Sequence, residues 1–168
     1  MRKKALAALA GVEIGVIGGA VMLLWFAAAC PVIGEPWWLI PNLLASNFYS
    51  LRTVFEGPGM ATLSGAALQL SAAGLIGAIH GLFMNGVLTP GGRLFGLAVA
   101  LAWYLLCYLS LWKRVTPAVL AYGPQPLIAI GYFLYGSALG WQSHLLNRLN
   151  ADLSEPEILV EEPVRESR

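Results

Sequence analysis

Glu13 is the residue whose type and position most directly suggest chemistry, because it lies inside a long apolar segment. The segment starts about eight residues earlier, which places the carboxylate roughly 12 Å from the end of a helix that rises 1.5 Å per residue. An ionisable group at that depth in a membrane costs on the order of 2.5–3.5 kcal/mol. We therefore expect Glu13 to face other helices and to have a polar partner.

Three further polar side chains are predicted at the same end of the membrane: His80, Gln142 and His144. His80 lies about seven residues, or about 10 Å, from the end of the second apolar segment. Gln142 and His144 fall in the last turns of the fourth. With Glu13 they form a predicted intramembrane polar site. The residue types fit a proton-relay or ion site on Glu13 and His80, or a buried polar pair that fixes helix register.

His80 also has the chemistry of an axial ligand, because neutral imidazole binds haem and chlorophyll. Small residues around it would leave room for a flat macrocycle. The sequence has no c-type haem attachment motif, and Cys30 and Cys107 lack the spacing of metal ligands. We expect no cofactor and no metal, with haem or chlorophyll at His80 as the alternative.

Motifs of catalysis are absent from the sequence. There is no G-x-S-x-G, no H-E-x-x-H and no Walker loop. The glycine-rich stretches lie in apolar segments, where glycine indicates close helix packing. We predict that the chain is not an enzyme and binds no nucleic acid. The predicted packing glycines are Gly11, Gly15, Gly18, Gly74, Gly77, Gly81, Gly136 and Gly140.

The composition is typical of an integral membrane protein. The 168 residues are 58% hydrophobic and 11% charged, whereas about a quarter of the residues of a soluble domain are charged. Four apolar segments, at about 5–32, 61–87, 94–112 and 127–146, are the predicted spans. The sequence therefore predicts an all-α, four-helix transmembrane bundle over 1–149 and an acidic tail over 150–168.

The basic residues predict the orientation, because cytoplasmic segments carry an excess of Lys and Arg. With the N-terminus inside, the outer segments hold three basic residues, Arg52, Lys113 and Arg114. The cytoplasmic segments hold seven: Arg2, Lys3, Lys4, Arg93, Arg148, Arg165 and Arg168. We predict a bacterial inner-membrane protein with both termini in the cytoplasm.

The long outer connection, 34–59, is predicted to contain a short helix over about 42–55. Its apolar residues recur at spacings of four, three and four, which places them on one helical face: Leu44, Phe48, Leu51 and Phe55. Asn42, Ser46 and Arg52 are predicted to face water. This pattern is typical of a helix that lies in the membrane interface.

The N-terminal segment has a second interpretation as a secretory signal. Ala27-Ala28-Ala29 fits an A-x-A cleavage site before Cys30. The apolar region is longer than the usual 7–15 residues and contains Glu13, which argues against cleavage. Cleavage at Cys30 would leave three spans.

The fourth segment reads Gly-Tyr-Phe-Leu-Tyr-Gly-Ser-Ala-Leu-Gly over 131–140. It resembles the last helix of some small bacterial four-helix membrane proteins, which often carry Gly-His-x-x-Tyr-Gly-x-x-Leu-Gly. Tyr132 stands where that pattern has histidine, so a ligand role does not carry over. The resemblance implies a bacterial four-helix bundle and no activity.

Three functions fit these observations. The first is a non-catalytic accessory subunit or assembly factor of a larger membrane complex, because the Gly- and Ala-rich faces offer more packing surface than one small bundle uses. Its partners would be the lipid bilayer and other membrane subunits, or further copies of the chain. The second is a small proton-coupled transporter or channel that uses Glu13 and His80. The third is a haem- or pigment-binding membrane protein.

Overall fold

A computed structural model of the chain describes residues 2–83 and 92–141. These residues form helices joined by short turns, with no strand among them. The predicted turn over 89–92 falls largely outside these ranges, and Gln142, His144 and the acidic tail over 150–168 fall wholly outside them.

The long helices are α1 (Arg2–Val32), α4 (Met60–Phe83) and α5 (Gly92–Leu106). A π-helical turn at Cys107–Leu111 joins α5 to α6 (Trp112–Arg114). Within the described residues, three helices are long and apolar enough to cross a membrane: Lys4–Val32, Met60–Phe83 and Leu94–Arg114. The predicted fourth span corresponds to α8, described over Gln125–Leu139 and shorter than these three.

The end of α1 follows from its sequence. Gly34 has a φ of +83°, which glycine adopts readily. The Glu35 N–H donates to the Cys30 carbonyl at 3.0 Å and the Gly34 N–H to the Pro31 carbonyl at 3.1 Å, as in a Schellman motif. Pro36, which follows, cannot continue the helix.

The helices pack in the order α4, α1, α8, α5. Helices α1 and α4 approach each other closely where glycines of both helices meet. A Cβ atom at Gly77 would overlap the Gly11 carbonyl oxygen and lie 2.8 Å from the Gly15 Cα. A Cβ at Gly15 would overlap the Ala73 carbonyl oxygen. The two backbones are therefore in direct contact, and no larger residue fits between them.

Helix α8 is fixed against the other two by an aromatic side chain. The Tyr135 hydroxyl donates to the Ala73 carbonyl oxygen of α4 at 2.6 Å. Its ring occupies the space beside Gly18 of α1, where a Cβ would lie 2.9 Å from the Tyr135 Cδ2. On its other side, α8 contacts α5, since a Cβ at Gly136 would lie 2.7 Å from the Ala100 Cβ. Tyr135 thus connects three helices.

The predicted single helix over 42–55 is replaced by three short segments. These are α2 (Leu39–Leu44), a 3-10 turn (Ala45–Asn47) and α3 (Leu51–Glu56). The break lies at Ser50, which is extended and whose hydroxyl caps α3 by accepting from the Thr53 N–H at 3.3 Å. Another short helix, α7 (Pro117–Tyr122), lies against α2. Phe55 and Tyr122 make an edge-on ring contact at 5.2 Å, so the connection from α1 to α4 and the connection from α6 to α8 meet at one end of the molecule.

The prediction that Asn42 faces water is wrong, because its side chain is 0% exposed. Its amide donates to the Val54 carbonyl at 2.9 Å and to the Gly57 carbonyl at 3.0 Å. Its oxygen accepts from the Thr62 hydroxyl at 2.6 Å. Asn42 therefore connects α2 to the end of α3 and to the start of α4. Arg52, in contrast, is exposed as predicted.

We expect Gly77→Ala to lower the free energy of unfolding by about 1–3 kcal/mol, as overpacked substitutions do. The free-energy cost of the overlap with the Gly11 carbonyl exceeds the gain of about 1 kcal/mol that alanine brings in helix propensity. Gly59→Ala is the matched control, because a Cβ there meets nothing within 4 Å. Denaturant unfolding in detergent micelles would measure both, and equal stability of the two variants would contradict the close contact.

We expect Asn42→Ala to lower the free energy of unfolding by about 1–3 kcal/mol, because it leaves buried carbonyl and hydroxyl groups without partners. Asn47→Ala, at an exposed position of the same outer segment, should change it by less than about 0.5 kcal/mol. The same unfolding measurement applies. A similar small effect of both substitutions would show that the Asn42 network contributes little.

Candidate functional site: an exposed carboxylate on a membrane-spanning helix

Glu13 lies on the outside of the helix packing. It is two residues from both Gly11 and Gly15, and therefore about 200° around the helix from each at 100° per residue. Because those glycines contact α4, the Glu13 side chain points away from α4. Its side chain is exposed.

The surroundings of Glu13 on that surface are apolar. Leu9, one turn before it, is 66% exposed, and Ile17, one turn after it, is 48% exposed. Leu24 continues the same face at 70% exposure. A carboxylate thus lies among exposed aliphatic side chains in a helix that is apolar enough to cross a membrane.

The expectation that Glu13 faces the interior of the bundle is therefore wrong. The interior side of α1 is occupied by the glycines that contact α4 and by Met22 and Phe26, which are 2% and 1% exposed. A Cβ at Gly131 of α8 would lie 2.6 Å from the Phe26 Cε1, so α8 covers this side closely. No space remains on these two sides for a carboxylate.

His80 has the opposite environment. It is 2% exposed, and it follows Gly77 by one turn on the face of α4 that packs against α1. Its ring lies 5.4 Å from the ring of Phe95 on α5, at an interplanar angle of 32°. The imidazole thus contributes to packing between helices. Glu13 and His80 are not brought together, since one lies outside the packing and the other inside it.

A macrocycle at His80 does not fit this arrangement. With 2% of the residue exposed and Phe95 packed against its ring, the imidazole has no open side on which a haem or chlorophyll could lie. Binding would require α4 and α5 to separate. Within residues 2–83 and 92–141, no group of three His, Cys, Asp or Glu side chains is placed to hold a metal ion.

The charges of the described side chains offer Glu13 no counter-ion. The ion pair that the described side chains form joins Arg52 to Glu56 at 2.9 Å, and these side chains are 88% and 56% exposed. It lies on α3, and exposed pairs of this kind contribute little to stability. Lys4 is nine residues before Glu13, which corresponds to about 13 Å along the helix and about 180° around it.

A cleft of about 300 Å³ lies between the short helices of the two connections. Its lining carries no carboxylate, histidine or thiol that could act as an acid, base or nucleophile. The lining residues are Ser46, Asn47, Leu51, Pro117, Ala118, Ala121 and Tyr122. The cleft can accommodate an apolar group but has no chemistry of its own.

Of the predicted polar site, the structure places Glu13 and His80 on different sides of the packing, and Gln142 and His144 lie outside the described residues. The four-residue site stays a prediction. Sequence reasoning missed Asn42 and Tyr135, whose partners are mostly backbone carbonyls. Such partners leave no pattern of residue types in the sequence.

We expect Glu13→Leu to leave the unfolding free energy of the purified chain unchanged within about 0.5 kcal/mol, as at other surface positions without contacts. His80→Ala should lower it by more than about 1 kcal/mol, because a buried ring is removed. Thermal unfolding in micelles would compare the two. A loss in Glu13→Leu as large as that in His80→Ala would show that Glu13 has a partner within the chain.

Comparisons with known proteins identify no relative. No family model matches the chain, and no curated protein and no solved structure match it. The resemblance of residues 131–140 to the last helix of small bacterial membrane proteins stays a prediction. The function is therefore inferred from the geometry of this chain's own residues.

Proposed function

We propose that the chain is a non-catalytic accessory subunit or assembly factor of a larger membrane protein complex. The observation that supports this proposal is the exposure of Glu13 on an apolar helix face, with no partner among the described side chains.

Exposure of Glu13 to lipid would cost free energy. A carboxylate facing hydrocarbon costs about 2.5–3.5 kcal/mol on insertion scales. That is a substantial fraction of a typical total stability of about 5–15 kcal/mol. A helix from another protein that covers Glu13 with a hydrogen-bond donor would offset the cost. In a lone protein in lipid, the carboxyl group would have to take up a proton or draw water to itself instead.

The proposed arrangement in the membrane is a four-helix bundle of α1, α4, the helix from α5 to α6, and α8. Here α8 serves as the fourth span, with both termini on the cytoplasmic side of a bacterial inner membrane. The gathering of the outer short helices at one end supports this topology. That end carries exposed apolar residues suited to a membrane interface, with Phe48 at 69% and Leu51 and Phe55 at 50% each.

The alternative of a proton-coupled transporter receives less support. Its two proposed groups, Glu13 and His80, lie on different sides of the helix packing. A proton path between them would have to cross the close-packed contact of α1 and α4. Pigment binding at His80 is likewise less supported, since Phe95 packs against the ring.

Extraction of the tagged chain from its native membrane in a gentle detergent tests the proposal. We expect wild type to co-purify with stoichiometric companions and Glu13→Leu to lose most of them, because the polar contact is removed. Leu75→Ala is the control, since Leu75 is 63% exposed on α4, away from Glu13. Membrane levels of all three must be equal before extraction.

A stable, monodisperse species made of this one polypeptide, for wild type as for Glu13→Leu, would contradict the proposal. If the companions remain with Glu13→Leu but are lost with Leu75→Ala, the docking surface lies on α4 and not on α1.

A further inference from the structure

We propose that the exposed face of α1 binds a transmembrane helix of a different protein, and that this helix presents a Lys or Arg side chain to Glu13. The inference rests on the proposed function and names the chemistry of the partner.

The exposed face has the spacing of a helix-packing seam. Six residues of α1 that are exposed or half-buried recur at spacings of four, four, three, four and four: Leu9, Glu13, Ile17, Ala20, Leu24 and Ala28. Spacings of three and four keep these side chains on one face of the helix, as in helix pairs that cross in membranes. Ala20 and Ala28 are small enough for a neighbouring backbone to approach closely. The face can thus receive one helix along most of its length.

Glu13 is the polar position of that seam. In helix pairs, a single polar residue in an apolar seam selects the partner and the register, because any other alignment leaves it unpaired. In hydrocarbon this selection is stronger for a charged group, which needs a charge of opposite sign. A Lys or Arg at the same depth is the side chain that satisfies this requirement.

A second copy of the chain meets the requirement for an opposite charge less well. A symmetric pair about this seam would place Glu13 opposite Glu13 of the other copy, since the same surface is used on both sides. Two ionised carboxylates would then meet in a medium of low dielectric constant, which is unfavourable, so at least one of them would have to bind a proton. Lys4, the nearest described cation on α1, lies about 13 Å away along the helix and cannot bridge them.

Synthetic transmembrane peptides provide the test. The full chain is reconstituted in vesicles with a labelled Leu-Ala helix of about 22 residues, long enough to span. The helix carries Lys, Leu or Glu at the position level with Glu13, and association is followed by energy transfer. We expect the Lys peptide to bind wild type about 5- to 30-fold more tightly than the Leu peptide, the range for polar contacts between membrane helices.

Two variants make the test specific. In Glu13→Leu, the preference for Lys should disappear while binding of the Leu peptide stays. In the double variant Glu13→Leu with Ile17→Glu, the carboxylate moves one turn along the same exposed face. The best position for Lys in the peptide should then move by four residues.

Equal binding of the Lys and Leu peptides to wild type would overturn the inference. So would self-association of the chain that depends on Glu13 and that the Lys peptide does not reduce, because the occupant would then be a second copy. Neither result bears on companions found in native extraction, so failure of the inference and failure of the proposed function are distinguishable.

Discussion

The contact between the backbones of α1 and α4 is the constraint on which the rest of the structure depends. At Gly11, Gly15 and Gly77 the helices approach so closely that one added carbon atom would overlap a backbone carbonyl. Such a contact fixes the rotation of each helix about its axis as well as the distance between the axes. Once α1 is fixed in this way, every other residue of α1 has an assigned direction, including Glu13, which is turned outward.

The other contacts depend on the same rotation. Gly18 of α1 leaves the space that the Tyr135 ring fills, and Tyr135 then reaches the Ala73 carbonyl of α4 at 2.6 Å. His80 follows Gly77 by one turn on the packed face and is buried for that reason. Glycine contacts and buried aromatic rings thus form one interior, which α5 joins through α8 and through the contact of Phe95 with His80. Large aliphatic side chains remain on the outer surfaces, as expected where the solvent is hydrocarbon.

The long helices and their glycine contacts could be predicted from the sequence, because segment length and small residues directly reflect the membrane and close packing. The direction of Glu13 was predicted wrongly. An apolar helix has no alternation of polar and apolar residues to mark its inner face, and the expectation relied on the cost of the carboxylate alone. The glycines mark the packed face of α1. Glu13 is two residues from both Gly11 and Gly15 and therefore lies on the opposite face.

The environment of Asn42 was predicted wrongly for a related reason. Near Pro41, in a connection between spans, a polar residue is expected to face water. Asn42 instead binds the Val54 and Gly57 carbonyls and the Thr62 hydroxyl, so this chain supplies partners to a polar side chain that it buries. Glu13 receives none from the described side chains, although it lies in an apolar helix. A fold that satisfies Asn42 internally and turns Glu13 outward leaves this carboxylate available for a partner outside the chain, which is the arrangement that the proposed accessory subunit requires.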